Sequence, residues 1–128
     1  MQKTIVDIFK KKYPEFAARV KVLRDGDQVT GEISFHNPRY RLWFTEDGEG
    51  YIVGINFLHS HFDGDTQEGN LRDALSRIDQ ILRDEIVAVG NRKKTKDFIF
   101  ATMSREEGLR RYGLDDSRVE VVWFSRDY

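Results

Sequence analysis

The chain has 128 residues, of which 39% are hydrophobic and 34% charged, and this apolar content at this length predicts one domain over residues 1–128 rather than a disordered tail. Its formal net charge of −1 excludes simple bulk attraction to nucleic acid or to an anionic membrane. The absence of cysteine excludes disulfides and thiolate chemistry.

The first third of the chain predicts a helix followed by strands. Apolar residues at helical spacing predict a helix over residues 3–13, which Pro14 ends. Its charges and the lack of a continuous apolar stretch argue against a signal peptide, so we expect a cytoplasmic protein. Four strand-like runs then occupy residues 18–24, 28–36, 40–45 and 51–59. The short turns between them predict an antiparallel meander.

Alternation of apolar and polar residues assigns the two faces of this meander. Val53, Ile55 and Phe57 belong to the predicted core face, and His59 continues it. Trp43 falls on the opposite, polar face, where it is either covered by a terminal segment or available as a binding anchor.

The remaining chain predicts the clearest helix and a second group of strands. Asn70 is the expected N-cap of a helix that runs to about residue 82. Residues 85–90 and 97–103 predict a hairpin with the basic tip NRKKTK, residues 104–113 a short helix, and residues 118–124 a last strand. The predicted fold is therefore α+β, in the order αββββαββαβ, with helices packed on one face of a mostly antiparallel meander sheet.

The stretch LHSHFDGD, residues 58–65, contains residues that bind metals. His59, His61, Asp63 and Asp65 resemble the HxHxDH motif of metallo-β-lactamase-type hydrolases, without its last histidine. No histidine follows in the chain, and His36 is expected on the other face, about 9–10 Å from His59. We therefore favour a structured polar loop, with no metal and no cofactor, and keep a small metal-dependent hydrolase as the alternative.

Acidic residues are concentrated in the middle of the chain, where residues 25–70 contain nine carboxylates and only two basic side chains. The meander places Glu46, Asp47 and Glu49 at one end of the sheet, and Asp63 and Asp65 at the other. Such carboxylates repel nucleic acid and attract a basic protein surface. Together with Trp43 they are the expected partner-binding residues.

The chain loosely resembles small cytosolic immunity proteins of bacterial polymorphic-toxin and contact-dependent growth inhibition systems. Its size, the predicted meander, and a strand that enters LHSHFDGD before the helix LRDALSRIDQILRDE carry this resemblance. It implies a non-enzymatic protein that binds and occludes a cognate toxin domain, such as a nuclease with a basic face. A nucleic-acid or ligand adaptor that uses NRKKTK and Trp43 is a further alternative. The pattern fits either a monomer or a homodimer.

Overall fold

The computed structural model describes residues 3–48, 50–91, 94–101 and 119–125. Within these ranges the protein is α+β, as predicted, with helices packed on a five-stranded antiparallel sheet and a second sheet of three strands. No helix in these ranges combines the length and apolar character needed to cross a bilayer.

The first helix, α1 (Ile5–Lys12), begins with a reciprocal cap. The Thr4 hydroxyl accepts a hydrogen bond from the Asp7 backbone N–H, and the Asp7 carboxylate accepts one from the Thr4 N–H. Two amide groups that lack helical partners are thus satisfied. Pro14, which was predicted to end α1, starts a second short helix, α2 (Pro14–Ala17).

Five strands, rather than the predicted four, form the large sheet, and they lie in chain order. They are β1 (Lys21–Asp25), β2 (Gln28–Ser34), β3 (Arg41–Asp47), β4 (Gly50–Ile55) and β5 (Leu58–Phe62). The predicted order αββββαββαβ is not confirmed, because the run at 51–59 contains a turn at Asn56 and Phe57 that separates β4 from β5. The segment LHSHF is therefore an edge strand instead of the start of a loop.

The main helix, α3 (Gln67–Leu82), starts earlier than predicted. Its N-cap is Thr66, whose hydroxyl accepts a hydrogen bond from the Gly69 N–H at 3.1 Å. Asn70 lies inside the first turn, and its side chain is buried. The predicted apolar stripe is confirmed, since Ala74, Leu75, Ile78, Ile81 and Leu82 are all buried.

A second, three-stranded sheet follows α3, with β6 (Val87–Asn91) between β7 (Lys94–Ala101) and β8 (Val119–Val122). The predicted hairpin is present, although its tip residues Arg92 and Lys93 lie outside the described residues. The predicted short helix at 104–113 lies outside them as well.

The core occupies the space between the large sheet and the helices. The sheet side that faces α1 and α3 is called the inner face, and the opposite side is called the outer face. Phe44 and Val53 of the inner face are fully buried, as are Phe9 of α1 and Ile78 of α3. The rings of Phe9 and Phe44 have centroids 4.9 Å apart. Burying each such side chain contributes roughly 1.5–3 kcal/mol, so the inner face supplies much of the stability.

Candidate partner-binding surface

The turn between β4 and β5 is held by one asparagine side chain. Asn56 has a φ of 51°, in the left-handed region that asparagine tolerates better than most residues. Its side-chain oxygen accepts a hydrogen bond from the Arg41 N–H, and its amide donates one to the Arg39 carbonyl. These bonds attach the turn to the start of β3, the strand that pairs with β4.

This turn reverses the predicted orientation of the residues that follow it. Phe57 was expected in the core, but it lies in the turn with 68% of its surface exposed. His59 was expected to continue the core face, but it lies on the outer face opposite Gly54. Leu58 and Phe62 instead pack partly buried against the core. The prediction was wrong for Phe57 and His59 because a two-residue turn breaks the alternation on which it relied.

Trp43 lies on the outer face, as predicted, with its indole ring over a glycine. It is paired across the strands with Gly54, at which a Cβ atom would come within 2.4 Å of the ring. The indole N–H donates a 2.8 Å hydrogen bond to the Asn56 carbonyl. Trp43 is therefore held flat against the sheet with one side half-exposed, which orients a rigid aromatic surface outward.

The two histidines connect Trp43 with the far end of β5. The His59 ring lies 5.9 Å from the Trp43 ring and 5.1 Å from the His61 ring, measured between centroids. His61 Nδ1 is 3.8 Å from a carboxylate oxygen of Asp47. These four side chains form a continuous track across the outer face, which we call the aromatic track.

The acidic loops meet at a single end of the sheet, in contrast to the prediction of two acidic ends. Because β5 returns the chain, its last residue lies beside the β3–β4 turn, and Phe62 pairs with Tyr51. Asp63 and Asp65 therefore lie at the same end as the β1–β2 turn. We call this the acidic end, and its exposed members are Asp25, Asp27, Asp47, Asp63 and Asp65.

Glu46, a predicted partner-binding residue, has a structural contact instead of an open position. Its carboxylate accepts a 2.9 Å hydrogen bond from the backbone N–H of Ile5, at the start of α1. A carboxylate at a helix N-terminus is favoured by the helix dipole. Glu46 therefore lies on the inner side of the sheet, whereas Asp47 lies on the outer side. Glu49, the third predicted residue of this turn, is outside the described residues.

The loop that carries Asp63 and Asp65 is fastened by the buried side chain of Asn70. The Asn70 oxygen accepts a 2.7 Å hydrogen bond from the Gly64 N–H, and its amide donates to the Gly64 carbonyl at 3.3 Å. This pair of bonds holds both aspartates beside the start of α3. Sequence reasoning assigned Asn70 to a helix cap and so missed its role in positioning the loop.

The opposite end of the outer face is basic and contains a shallow groove of about 470 Å³. Arg39 and Arg41 line it together with Trp43 and the exposed Phe57. Arg41 lies 3.8 Å from Glu32 across the strands. A groove lined by both guanidinium groups and aromatic rings suits the binding of an anionic or planar group.

On the inner side of β5, Arg77 of α3 approaches the strand. It donates a 3.2 Å hydrogen bond to the Ser60 hydroxyl, and its guanidinium lies 5.7 Å from the centre of the Phe62 ring. Burial lowers the pKa of Arg77 below its usual range. The contact between Arg77 and Ser60 thus attaches the edge strand β5 to α3.

The four residues of the alternative metal site are separated by the end of β5. His59 and His61 lie side by side on the outer face, while Asp63 and Asp65 follow in the loop. His36 lies beyond β2, where its backbone N–H donates to the Phe124 carbonyl. Within the described ranges no group of three His, Cys, Asp or Glu side chains is arranged to hold a metal ion.

Comparisons with protein families, with characterised proteins and with solved structures gave no match for this chain. The surface itself therefore provides the grounds for a functional assignment.

Proposed function

We propose that this protein is a non-enzymatic binding protein that neutralises a basic protein domain by covering it, as an immunity protein covers its cognate toxin. The observation that supports this proposal is the collection of five exposed aspartates at one end of the sheet. A nuclease domain is a suitable partner, because a surface that binds phosphates is basic and attracted to carboxylates.

The carboxylates of the acidic end are available for a partner. Of the close contacts between carboxylates and basic side chains within the described ranges, the one between Asp47 and His61 alone involves this end. Exposed carboxylates that are not engaged in close ion pairs retain their long-range field, which accelerates association with a basic surface. The buried Asn70 keeps Asp63 and Asp65 in place, so little ordering is needed when a partner binds.

The aromatic track extends this surface across the outer face of the sheet. Specific complexes commonly bury about 800 Å² on each partner. The exposed side chains at a few strand ends have a smaller area than this. From Asp47 the track continues through His61 and His59 to Trp43, and aromatic side chains are frequent among residues that dominate binding energy. We therefore assign the acidic end to attraction and the track to close contact.

The test is a binding measurement with the protein encoded by the adjacent gene, since immunity proteins are encoded beside their toxins. The triple variant Asp47→Asn, Asp63→Asn and Asp65→Asn removes three exposed charges and leaves Glu46 bonded to α1. At about 0.2–1 kcal/mol for each charge, we expect the Kd to rise roughly 3- to 150-fold. Isothermal titration calorimetry at low and high salt measures both the Kd and its salt dependence, which the variant should reduce.

A matched control removes the same number of charges elsewhere. Glu15→Gln, Asp73→Asn and Glu85→Gln change exposed carboxylates on α2, on α3 and after α3. This control should retain the wild-type Kd. Equal weakening by both triple variants would reduce the effect to net charge, and an unchanged Kd in the first variant would exclude the acidic end as the contact surface.

A further inference from the structure

The edge strand β1 has a sequence that is complementary to itself when two copies run antiparallel. β1 reads Lys21-Val22-Leu23-Arg24-Asp25, with a cation at its start, a leucine at its centre and an anion at its end. It lies at the border of the five-stranded sheet, and its residues are exposed except for the half-buried Val22. Leu23 is 38% exposed, although large apolar side chains are mostly buried in the described ranges.

The hairpin geometry shows which backbone groups of β1 point away from the sheet. A two-residue turn joins β1 to β2, and its flanking residues Asp25 and Gln28 are partners. Residues that flank such a turn form a hydrogen-bonded pair. Alternation then directs the N–H and C=O groups of Leu23 and Lys21 toward β2, and those of Val22 and Arg24 outward. These outward groups form a template for another strand.

We propose that β1 pairs with β1 of a second copy of this chain, antiparallel and with Leu23 on the two-fold axis. In this register Val22 of each copy faces Arg24 of the other. The outward N–H and C=O groups of these residues then form the backbone hydrogen bonds between the two copies. Leu23 then faces the partner's Leu23, as a pair that is not hydrogen-bonded and whose Cα atoms approach to about 4.5 Å. Two five-stranded sheets become one continuous sheet of ten strands.

Charge complementarity favours the second copy as the occupant of this edge. Lys21, Leu23 and Asp25 share the outer face, so Lys21 of each copy lies opposite Asp25 of the other. Opposite charges that face each other across strands are stabilising, whereas like charges are destabilising. Charged residues on an edge strand commonly discourage pairing, but in this register every charge on the outer face has an opposite partner. A one-residue shift would lose that match.

The proposed dimer is expected to be weak and concentration-dependent. Pairing through five residues buries less than the roughly 1,200 Å² at the lower limit of stable interfaces. The acidic end keeps Asp27, Asp47, Asp63 and Asp65 outside the paired strands. Asp25 is common to both surfaces, but the triple variant at Asp47, Asp63 and Asp65 leaves β1 unchanged, so dimer formation and the proposed binding of a basic partner can fail independently.

Cysteine cross-linking tests the register directly, because the chain contains no cysteine of its own. In Leu23→Cys the two sulfurs face each other at a separation that permits a disulfide. We expect this full-length variant to form a covalent dimer under mild oxidation. Lys21→Cys is the matched control on the same face, since the two Lys21 Cα atoms lie roughly 14 Å apart in the dimer. An equal mixture of Lys21→Cys and Asp25→Cys should cross-link, although neither variant does so alone.

Sedimentation equilibrium over a wide concentration range tests the charge match without oxidation. Lys21→Asp places like charges at both ends of the paired strands and should weaken self-association roughly tenfold, while Lys21→Asp combined with Asp25→Lys should restore it. A wild-type chain that stays monomeric at every concentration would overturn the proposal. A dimer that is indifferent to both charge variants, or cross-linking that is equally efficient at residues 21 and 23, would overturn it as well.

Discussion

Each face of the large sheet has an aromatic ring packed over a strand glycine, but the two rings differ in burial. On the inner face the Phe44 ring lies over Gly31, and on the outer face the Trp43 ring lies over Gly54. In each pair a Cβ atom on the glycine would come within 3 Å of the aromatic ring. The aromatic residues are neighbours in the chain, so the strand alone directs them to opposite sides.

What lies above each ring makes the difference between the faces. Phe44 is fully buried because α1 covers it, with Phe9 at 4.9 Å between ring centroids. Trp43 has His59 at its edge and an open groove beside it. An aromatic residue over a strand glycine is therefore part of the core when a helix covers it, and it stays partly exposed when, as at Trp43, no described helix does.

Truncation of the two aromatic residues should give the largest difference between the faces. Phe44→Ala opens a cavity in the core and should lower the free energy of unfolding by about 3–5 kcal/mol. Trp43→Ala should cost about 1–2 kcal/mol, because the ring is half-exposed and water can replace its hydrogen bond to the Asn56 carbonyl. Urea denaturation at neutral pH measures both values. Equal costs would contradict the division of the faces into a core and a surface.

Filling the two glycines should produce a smaller difference. Gly31→Ala places a methyl group 2.8 Å from Phe44 and 3.2 Å from Val6, and this overpacking should cost about 1–3 kcal/mol. Gly54→Ala should cost less than about 1 kcal/mol, since the Trp43 ring can move outward into solvent and alanine is less flexible than glycine in the unfolded chain.

Tryptophan fluorescence provides the second measurement for this pair. In a Trp123→Phe background, which leaves Trp43 as the reporter, Gly54→Ala should shift emission to longer wavelength and Gly31→Ala should not. A shift of the same size in both variants would mean that the outer ring is not seated on Gly54.

High pH should lower the free energy of unfolding through Tyr13, which follows α1. This effect should be the smallest of the three that are predicted. Tyr13 donates a 2.8 Å hydrogen bond to Asp79, and burial, followed by this contact, raises the pKa of Tyr13 from 10.0 to about 12. A raised folded-state pKa stabilises the protein fully below pH 10, and this contribution is lost as the pH rises from 10 to 12. Tyr13→Phe should cost about 1 kcal/mol at pH 7.

The difference in unfolding free energy between wild type and Tyr13→Phe should therefore shrink between pH 10 and pH 12. Urea titrations at several pH values in that window measure it. A constant difference across the window would show that Tyr13 ionises alike in the folded and unfolded chains.

Local patterns predicted most elements, because each depends on neighbours in the chain. The stripe from Ala74 to Leu82 predicted α3, and the alternating runs predicted β2 and β3 and placed Trp43 of β3 on the polar face. The N-cap of α3 was missed because Asn70 and Thr66 are both good caps, and the choice depends on the buried contact between Asn70 and Gly64. The face on which His59 lies and the end of the sheet at which Asp63 and Asp65 lie were also predicted wrongly. Both depend on the contacts of Asn56 with Arg39 and Arg41, which are distant in the chain.

The sequence by itself determined a two-layer α+β fold, since amphipathic periods select which side of each strand and helix is buried. It also determined that the middle of the chain is acidic. Only the tertiary structure decided where those acids lie. The run from Tyr51 to His59 favours an uninterrupted strand, and the turn forms where Asn56 bonds to Arg41, the first residue of β3, and to Arg39 just before it. That contact between distant residues moves His59 to the outer face and brings Asp63 and Asp65 to the acidic end.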